Sequence, residues 1–160
     1  MYDKIRCSIV FLFLFYYSPT NAQNEKTIFL ELAGRGVYYS VNFDLRFSEK
    51  YQGLGITTGL GFLPVPQESG DPRPFFSSGV ELNKTWGKGN WHPEVGFGLD
   101  YLRDSEIDDL FPRLTAAVRF QNSYSGFFFR PVISYYGFFQ SEKFTLPNVW
   151  GGIGVGYTFD

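Results

Sequence analysis

The chain has 160 residues, one domain's length, and a formal net charge of −2. Aromatic residues make up 21% of it and charged ones only 19%, which excludes a disordered chain and offers nucleic acid no basic surface. The mean hydropathy of −0.14 is too low for a bundle of membrane helices. The apolar residues must therefore be diluted at short range, as alternating strands dilute them.

The first 22 residues form a separate object. Lys4 and Arg6 precede an apolar run from Ser8 to Tyr17, and small or polar residues follow as far as Ala22. These are the parts of a secretory signal peptide, with cleavage expected after Ala22 and Thr20 at the minus-three position. About ten apolar residues fall short of the roughly 20 that a spanning helix needs. The only cysteine, Cys7, lies inside this segment, too early for a lipid anchor. The mature domain, 23–160, then has no disulfide or thiol chemistry. Losing Asp3, Lys4 and Arg6 moves its net charge from −2 to about −3.

Eight segments then alternate with a period of two, the signature of strands whose successive side chains face opposite sides of a sheet. In chain order they are expected at Ile28–Gly34, Val37–Phe47, Leu54–Leu63, Phe75–Trp86, Trp91–Tyr101, Pro112–Gln121, Gly126–Phe138 and Val149–Phe159. The fifth sets Trp91, Pro93, Val95, Phe97, Leu99 and Tyr101 against His92, Glu94, Gly96, Gly98 and Asp100. The eighth sets Val149, Ile153, Val155, Tyr157 and Phe159 against Trp150, Gly152, Gly154, Gly156 and Thr158. In the second, Tyr38 shares the polar face with Ser40, Asn42, Asp44 and Arg46.

The connections after strands two, four and six are short, at 48–53, 87–90 and 122–125. Those after three, five and seven are longer, at 64–74, 103–111 and 140–148. Only the first, Gly34–Gly36, breaks this alternation. Short turns on one side and longer loops on the other are the habit of bacterial outer-membrane barrels. The fold class expected is therefore all-β, an eight-stranded antiparallel up-and-down transmembrane barrel after a cleaved signal peptide.

The second face decides between a membrane barrel and a soluble one. A water-exposed outer face would be rich in Lys, Glu and Gln. Here it is mostly Gly, Ser, Ala and Thr, which suits the cramped lumen of eight strands. Nine charges fall on that face: Glu31, Asp44, Arg46, Glu81, Glu94, Asp100, Arg113, Arg119 and Arg130. Unpaired charges there would be costly, so an interior salt-bridge network is expected, filling the lumen in place of a channel. Aromatic girdles should flank the apolar band. One would comprise Phe47, Tyr51, Trp86, Trp91, Phe127, Tyr157 and Phe159, and the other Tyr39, Tyr101 and Tyr135.

The stretches TIFLELAGRGVYYSVNFDLRF, NKTWGKGNWHPEVGFGLDYL and VWGGIGVGYTFD resemble small eight-stranded outer-membrane β-barrel proteins of Gram-negative bacteria, of the type found in Bacteroidota. The resemblance implies an integral protein of the cell outer membrane, folded by the barrel-assembly machinery among outer-membrane lipids and lipopolysaccharide. Such chains end on an aromatic residue, whereas this one runs one residue further, to Asp160.

Catalysis has little to work with. The only histidine, His92, lies two residues from Glu94, and Ser77 or Ser134 could complete a triad only by coincidence of folding. No GxSxG motif is present. The acidic run with Asp104, Glu106, Asp108 and Asp109 matches no Ca²⁺ loop and reads as a solvated external loop. No catalytic, cofactor or metal residue is assigned. The expected role is a non-catalytic monomeric scaffold presenting loops. A narrow channel and a lipid-modifying enzyme are the alternatives.

Overall fold

A computed structural model of the chain describes residues 25–35, 38–48, 52–65, 73–103, 108–122, 126–136 and 149–159. Eight antiparallel strands close into one barrel, each bonded to its neighbours in chain order. They are β1 (Lys26–Leu32), β2 (Tyr39–Arg46), β3 (Gly53–Val65), β4 (Arg73–Thr85), β5 (Trp91–Arg103), β6 (Asp108–Gln121), β7 (Phe127–Tyr135) and β8 (Val149–Phe159). The first strand meets the last with Thr27 opposite Thr158 and Phe29 opposite Gly156. Residues 1–24, with the expected signal segment and its cleavage site, lie outside the described residues, as do Val37 and Tyr51.

The register gives the barrel its tilt. Ladder partners lead from Leu30 through β2, β3, β4 and β5 to Leu110 on β6. Taken the other way, through β8 and Phe129 on β7, the same row reaches Phe120 on β6. The two landings on β6, 110 and 120, differ by ten residues. At about 3.3 Å per residue and about 4.7 Å between strands, a ten-residue stagger over eight strands tilts them by about 41°. Each residue then climbs about 2.5 Å along the barrel axis.

Two expectations about the connections are corrected. β6 begins at Asp108, so the segment between β5 and β6 is only 104–107. The acidic run was expected to be a solvated external loop. Ladder pairing of Asp108 with Arg103 and Asp109 with Leu102 holds its end in the sheet instead. Only 66–72 and 136–148 then outlast the turns at 47–52, 86–90 and 122–126. Asp104 and Glu106 lie outside the described residues. Tyr38 is the second correction: it is 49% exposed, with its ring edge-on to Phe75 at 5.8 Å. It belongs to the β1–β2 connection, where strand alternation no longer governs.

One ladder has a gap. β6 and β7 pair from Leu114 to Ala117 and again at Phe120 and Gln121, but not at Val118 or Arg119. Asn122 N donates to Phe127 O, so by alternation Phe129, Pro131 and Ile133 also turn their backbone polar groups toward β6. Pro131 has no N–H to give there. Pro131→Val should restore one ladder bond and raise stability by about 1 kcal/mol. A shift of the unfolding midpoint in urea, read by the folded band on an unheated gel, would measure it.

Candidate functional site: a charged lumen inside an apolar wall

Alternation sends one side chain of each pair inward. All nine charges expected on the small-residue face are buried there. A tenth joins them. Arg35, in the connection after β1, is 2% exposed and reaches into the lumen. Its backbone N–H donates to Glu31 Oε1 at 2.7 Å. Its guanidinium lies 3.4 Å from Asp100 and 3.6 Å from Glu81, and donates to the carbonyls of Thr57 and Gly79 at 3.3 Å. Among the described residues, five carboxylates now face five guanidiniums.

These ten groups form one connected chain along the barrel. Nearest the terminal end, where β1 begins and β8 finishes, Arg46 binds Asp44 at 2.7 Å, and Asp44 accepts from Arg119 at 2.7 Å. Arg119 passes to Glu94 at 2.6 Å, and Glu94 to Arg130 at 2.6 Å. Arg130 also binds Glu31 at 2.7 Å and Glu81 at 2.9 Å, so three carboxylates share it. Glu81 continues to Arg113 at 2.8 Å, and Arg113 to Asp100 at 2.7 Å, where Arg35 closes the series. Every arginine fork binds at least one carboxylate, as burial in low dielectric requires. Neutral groups complete the shell. Asp44 also accepts from Thr57 at 2.6 Å, and Arg46 donates to Asn83.

The glycines make room for these groups, and each vacancy has a specific occupant. A Cβ at Gly55 would strike the Arg46 guanidinium, at Gly79 the Asp100 carboxylate, and at Gly96 the Thr115 hydroxyl and the Glu81 side chain. The β8 glycines serve another purpose. A Cβ at Gly152 would come within 2.7 Å of Gly34 Cα, and one at Gly154 within 3.0 Å of the Phe29 ring. They admit the in-folded β1–β2 connection and an aromatic ring, not ion pairs. That ring packs at a 43° tilt against Phe128 with centroids 4.9 Å apart, and Arg130 and Arg119 lie over Phe29 and Phe128 at 5.9 and 5.1 Å.

The lumen is layered. Thr27 and Thr158 bond at 2.9 Å near the terminal end, and Gln121 donates to Thr158 at 3.0 Å. The ion chain fills the middle. At the other end Phe75, Leu102, Phe111 and Tyr136 form a buried apolar cluster backed by Leu63 and Trp150. Alternation placed Phe75, Tyr136 and Trp150 inward, whereas Leu102 and Phe111 fell outside the expected strands, and nothing in the sequence signalled that they meet.

The imagined triad does not assemble. His92 is on the lumen face as expected, with Nδ1 3.2 Å from the Trp86 carbonyl. Glu94 is engaged by Arg119 and Arg130. Ser77 pairs with Leu102, ten residues along β5 from His92 and so about 33 Å away. Ser134 lies 3.5 Å from Arg113. Asp108 accepts from Tyr101 at 2.5 Å and sits 3.9 Å from Arg103, both partners largely exposed.

Outside, the wall is apolar. Leu60 is 62% exposed, Ile133 60% and Phe97 53%, with Val, Leu and Ile between them on every strand. From Trp91 to Tyr101 on β5, and from Val149 to Phe159 on β8, ten residues climb about 25 Å. Phe47, Trp86, Trp91, Phe127, Tyr157 and Phe159 ring the terminal end, all exposed as expected. Trp91 packs on Phe120 at 4.8 Å and Phe120 on Phe127 at 6.1 Å. Tyr39, Tyr101 and Tyr135 face outward toward the opposite end, where Phe76 meets Tyr101 at 6.4 Å.

No protein-family model matches the sequence, and no curated protein matches it. Among solved structures, the chain is similar to Ail, the attachment invasion locus protein of Yersinia pestis, at 12% identity and a TM-score of 0.41. The match covers 85% of this chain and 96% of that one.

Proposed function

We propose that the chain is a non-catalytic, monomeric integral protein of the bacterial outer membrane, a rigid barrel that carries its loops on the side away from its termini. The observation behind this reading is the outer wall. A belt of exposed Val, Leu, Ile and Phe about 25 Å tall, bounded by aromatics, matches the apolar band of outer-membrane barrels. In water such a surface would aggregate, since soluble monomers rarely expose so large an apolar area. In lipid it needs no cover, and the closed ladder leaves no sheet edge facing hydrocarbon. A cleaved signal peptide at 1–22 and insertion by the barrel-assembly machinery belong to the same proposal.

Membrane fractionation with gel mobility tests it. The protein is expected in the membrane pellet, migrating faster unheated than boiled. Recovery from a periplasmic extract as a soluble species would reject the reading.

The charged lumen argues against transport. The ion chain runs through the lumen and leaves its guanidiniums and carboxylates bound to one another. In planar bilayers we expect no stable conductance step. A discrete open level would mean that the ion chain yields, and would favour a narrow channel. For a lipid-modifying enzyme, the separation of His92, Glu94 and Ser77 is adverse, and no turnover of lipid A or phospholipid is expected.

A further inference from the structure

The lipid-facing wall carries one anomaly. Between the two aromatic rings, outward positions are apolar or small on every strand except at Lys84 of β4. Lys84 is exposed, and it sits two residues, about 5 Å, on the inner side of Trp86 in the terminal-end ring. Its Nζ turns back toward that end and lies 5.6 Å from the Trp86 ring centroid. Among the described residues no carboxylate lies within ion-pair distance of it.

The neighbouring chain completes a pattern. Lys84, Trp86, Lys88 and Trp91 fall within eight residues at the β4–β5 turn, and all four are exposed. The turn is held in shape by positive φ at Gly87 and Gly89, 104° and 83°. Trp86 N donates to Pro93 O at 3.0 Å, and Gln121 N to Asn90 O at 2.9 Å. A bare ammonium on a lipid-facing wall is unfavourable at mid-depth and less so near the interface. Snorkelling toward the interface lowers that cost, and an anion waiting there would lower it further.

We propose that Lys84, over the Trp86 ring, and Lys88, in the turn that leads to Trp91, clamp the phosphate of an anionic phospholipid in the membrane leaflet nearest the terminal-end ring. This rests on the membrane reading above. The ammonium pair supplies the charge, and the indole rings fix the depth at which a headgroup meets them. Lys26, also outward at the terminal end but on β1, lacks a neighbouring tryptophan on its own strand and serves as a control.

The test uses the full barrel inserted into phosphatidylcholine vesicles that contain a minor fraction of brominated phosphatidylglycerol or brominated phosphatidylcholine. Two of the three tryptophans, Trp86 and Trp91, face lipid at the proposed clamp, and Trp150 packs inside the lumen. Quenching of tryptophan emission therefore reports which lipid occupies the site. The expected result is about a fivefold preference for phosphatidylglycerol. It should fall to near parity in Lys84→Gln, fall partly in Lys88→Gln, and persist in Lys26→Gln. Heat-modifiable mobility in the same vesicles reports insertion separately. Failure of the wild type to insert rejects the membrane reading and the clamp with it. Insertion with equal quenching by both lipids, or an unchanged preference in Lys84→Gln, overturns the clamp alone. Lys84-dependent sedimentation with peptidoglycan, without a lipid preference, would also overturn it.

Discussion

Arg130→Met should destabilise the folded barrel by about 3–5 kcal/mol, the largest effect expected from any single lumen charge. Arg130 alone joins three carboxylates, Glu31, Glu81 and Glu94, at 2.6–2.9 Å. Met fills much of the same volume, so cavity formation contributes little. Nearly all the cost comes from carboxylates left in low dielectric without their cation. Glu94 retains Arg119 and Glu81 retains Arg113, but Glu31 keeps only the Arg35 backbone N–H. Two outcomes separate this account from a packing one. Adding Glu31→Gln to Arg130→Met should recover part of the loss, and Arg130→Lys should fail to rescue fully, because a compact ammonium lacks the planar spread with which the guanidinium reaches all three carboxylates. Urea unfolding in lipid vesicles, followed by gel mobility, measures all three variants. Equal stability of Arg130→Met and wild type would show that the ion chain contributes nothing to holding the lumen together.

The second large effect belongs to the closing seam. Gly156 faces Phe29 across the β1–β8 ladder, and a Cβ there would come within 2.6 Å of Phe29 Cα and collide with the Ile28 carbonyl. Both are backbone atoms, so no side-chain rotation relieves the clash. Gly156→Val should cost more than the usual 1–3 kcal/mol of overpacking and should prevent the heat-modifiable form from accumulating. Gly154→Ala should be milder, since its Cβ meets side-chain atoms alone, the Phe29 ring at 3.0 Å and Arg130 Cβ at 3.4 Å. Phe29→Ala should therefore relieve Gly154→Ala but leave Gly156→Val defective. Rescue of Gly156→Val by Phe29→Ala would place the conflict in the side chains and contradict this account.

Much of this was legible because a period of two carries phase as well as element type. Once Val149–Phe159 and Trp91–Tyr101 had a greasy side, every charge on the other side was committed to the lumen, and nine of nine are there. Three features were not legible, each for a physical reason. Arg35 lies in a turn, where phase is lost; only the imbalance of five carboxylates against four arginines hinted at a missing cation. Asp108 and Asp109 joined β6 because backbone pairing with β5 is indifferent to hydropathy. The occupants of the glycine vacancies depend on stagger, which alternation within one strand does not specify. Gly154 and Gly156 thus invited an ion pair in the sequence and received Phe29 in the fold.

The lumen charges have a consequence for the chain before it folds. A stretch of 18 or more apolar residues without charge is read as a membrane-spanning helix. After residue 22 this chain has no uncharged run of that length; the longest, Tyr51 to Gln67, has 17 residues and four glycines. Elsewhere Arg46, Glu94, Asp100, Arg113, Arg119 and Arg130 interrupt what would otherwise be longer greasy stretches. On the membrane reading proposed above, the chain crosses one membrane unfolded before it settles in another, and it needs to pass the first without lodging there. The side chains that end up sealed away from both water and lipid are those that keep the extended chain mobile on the way.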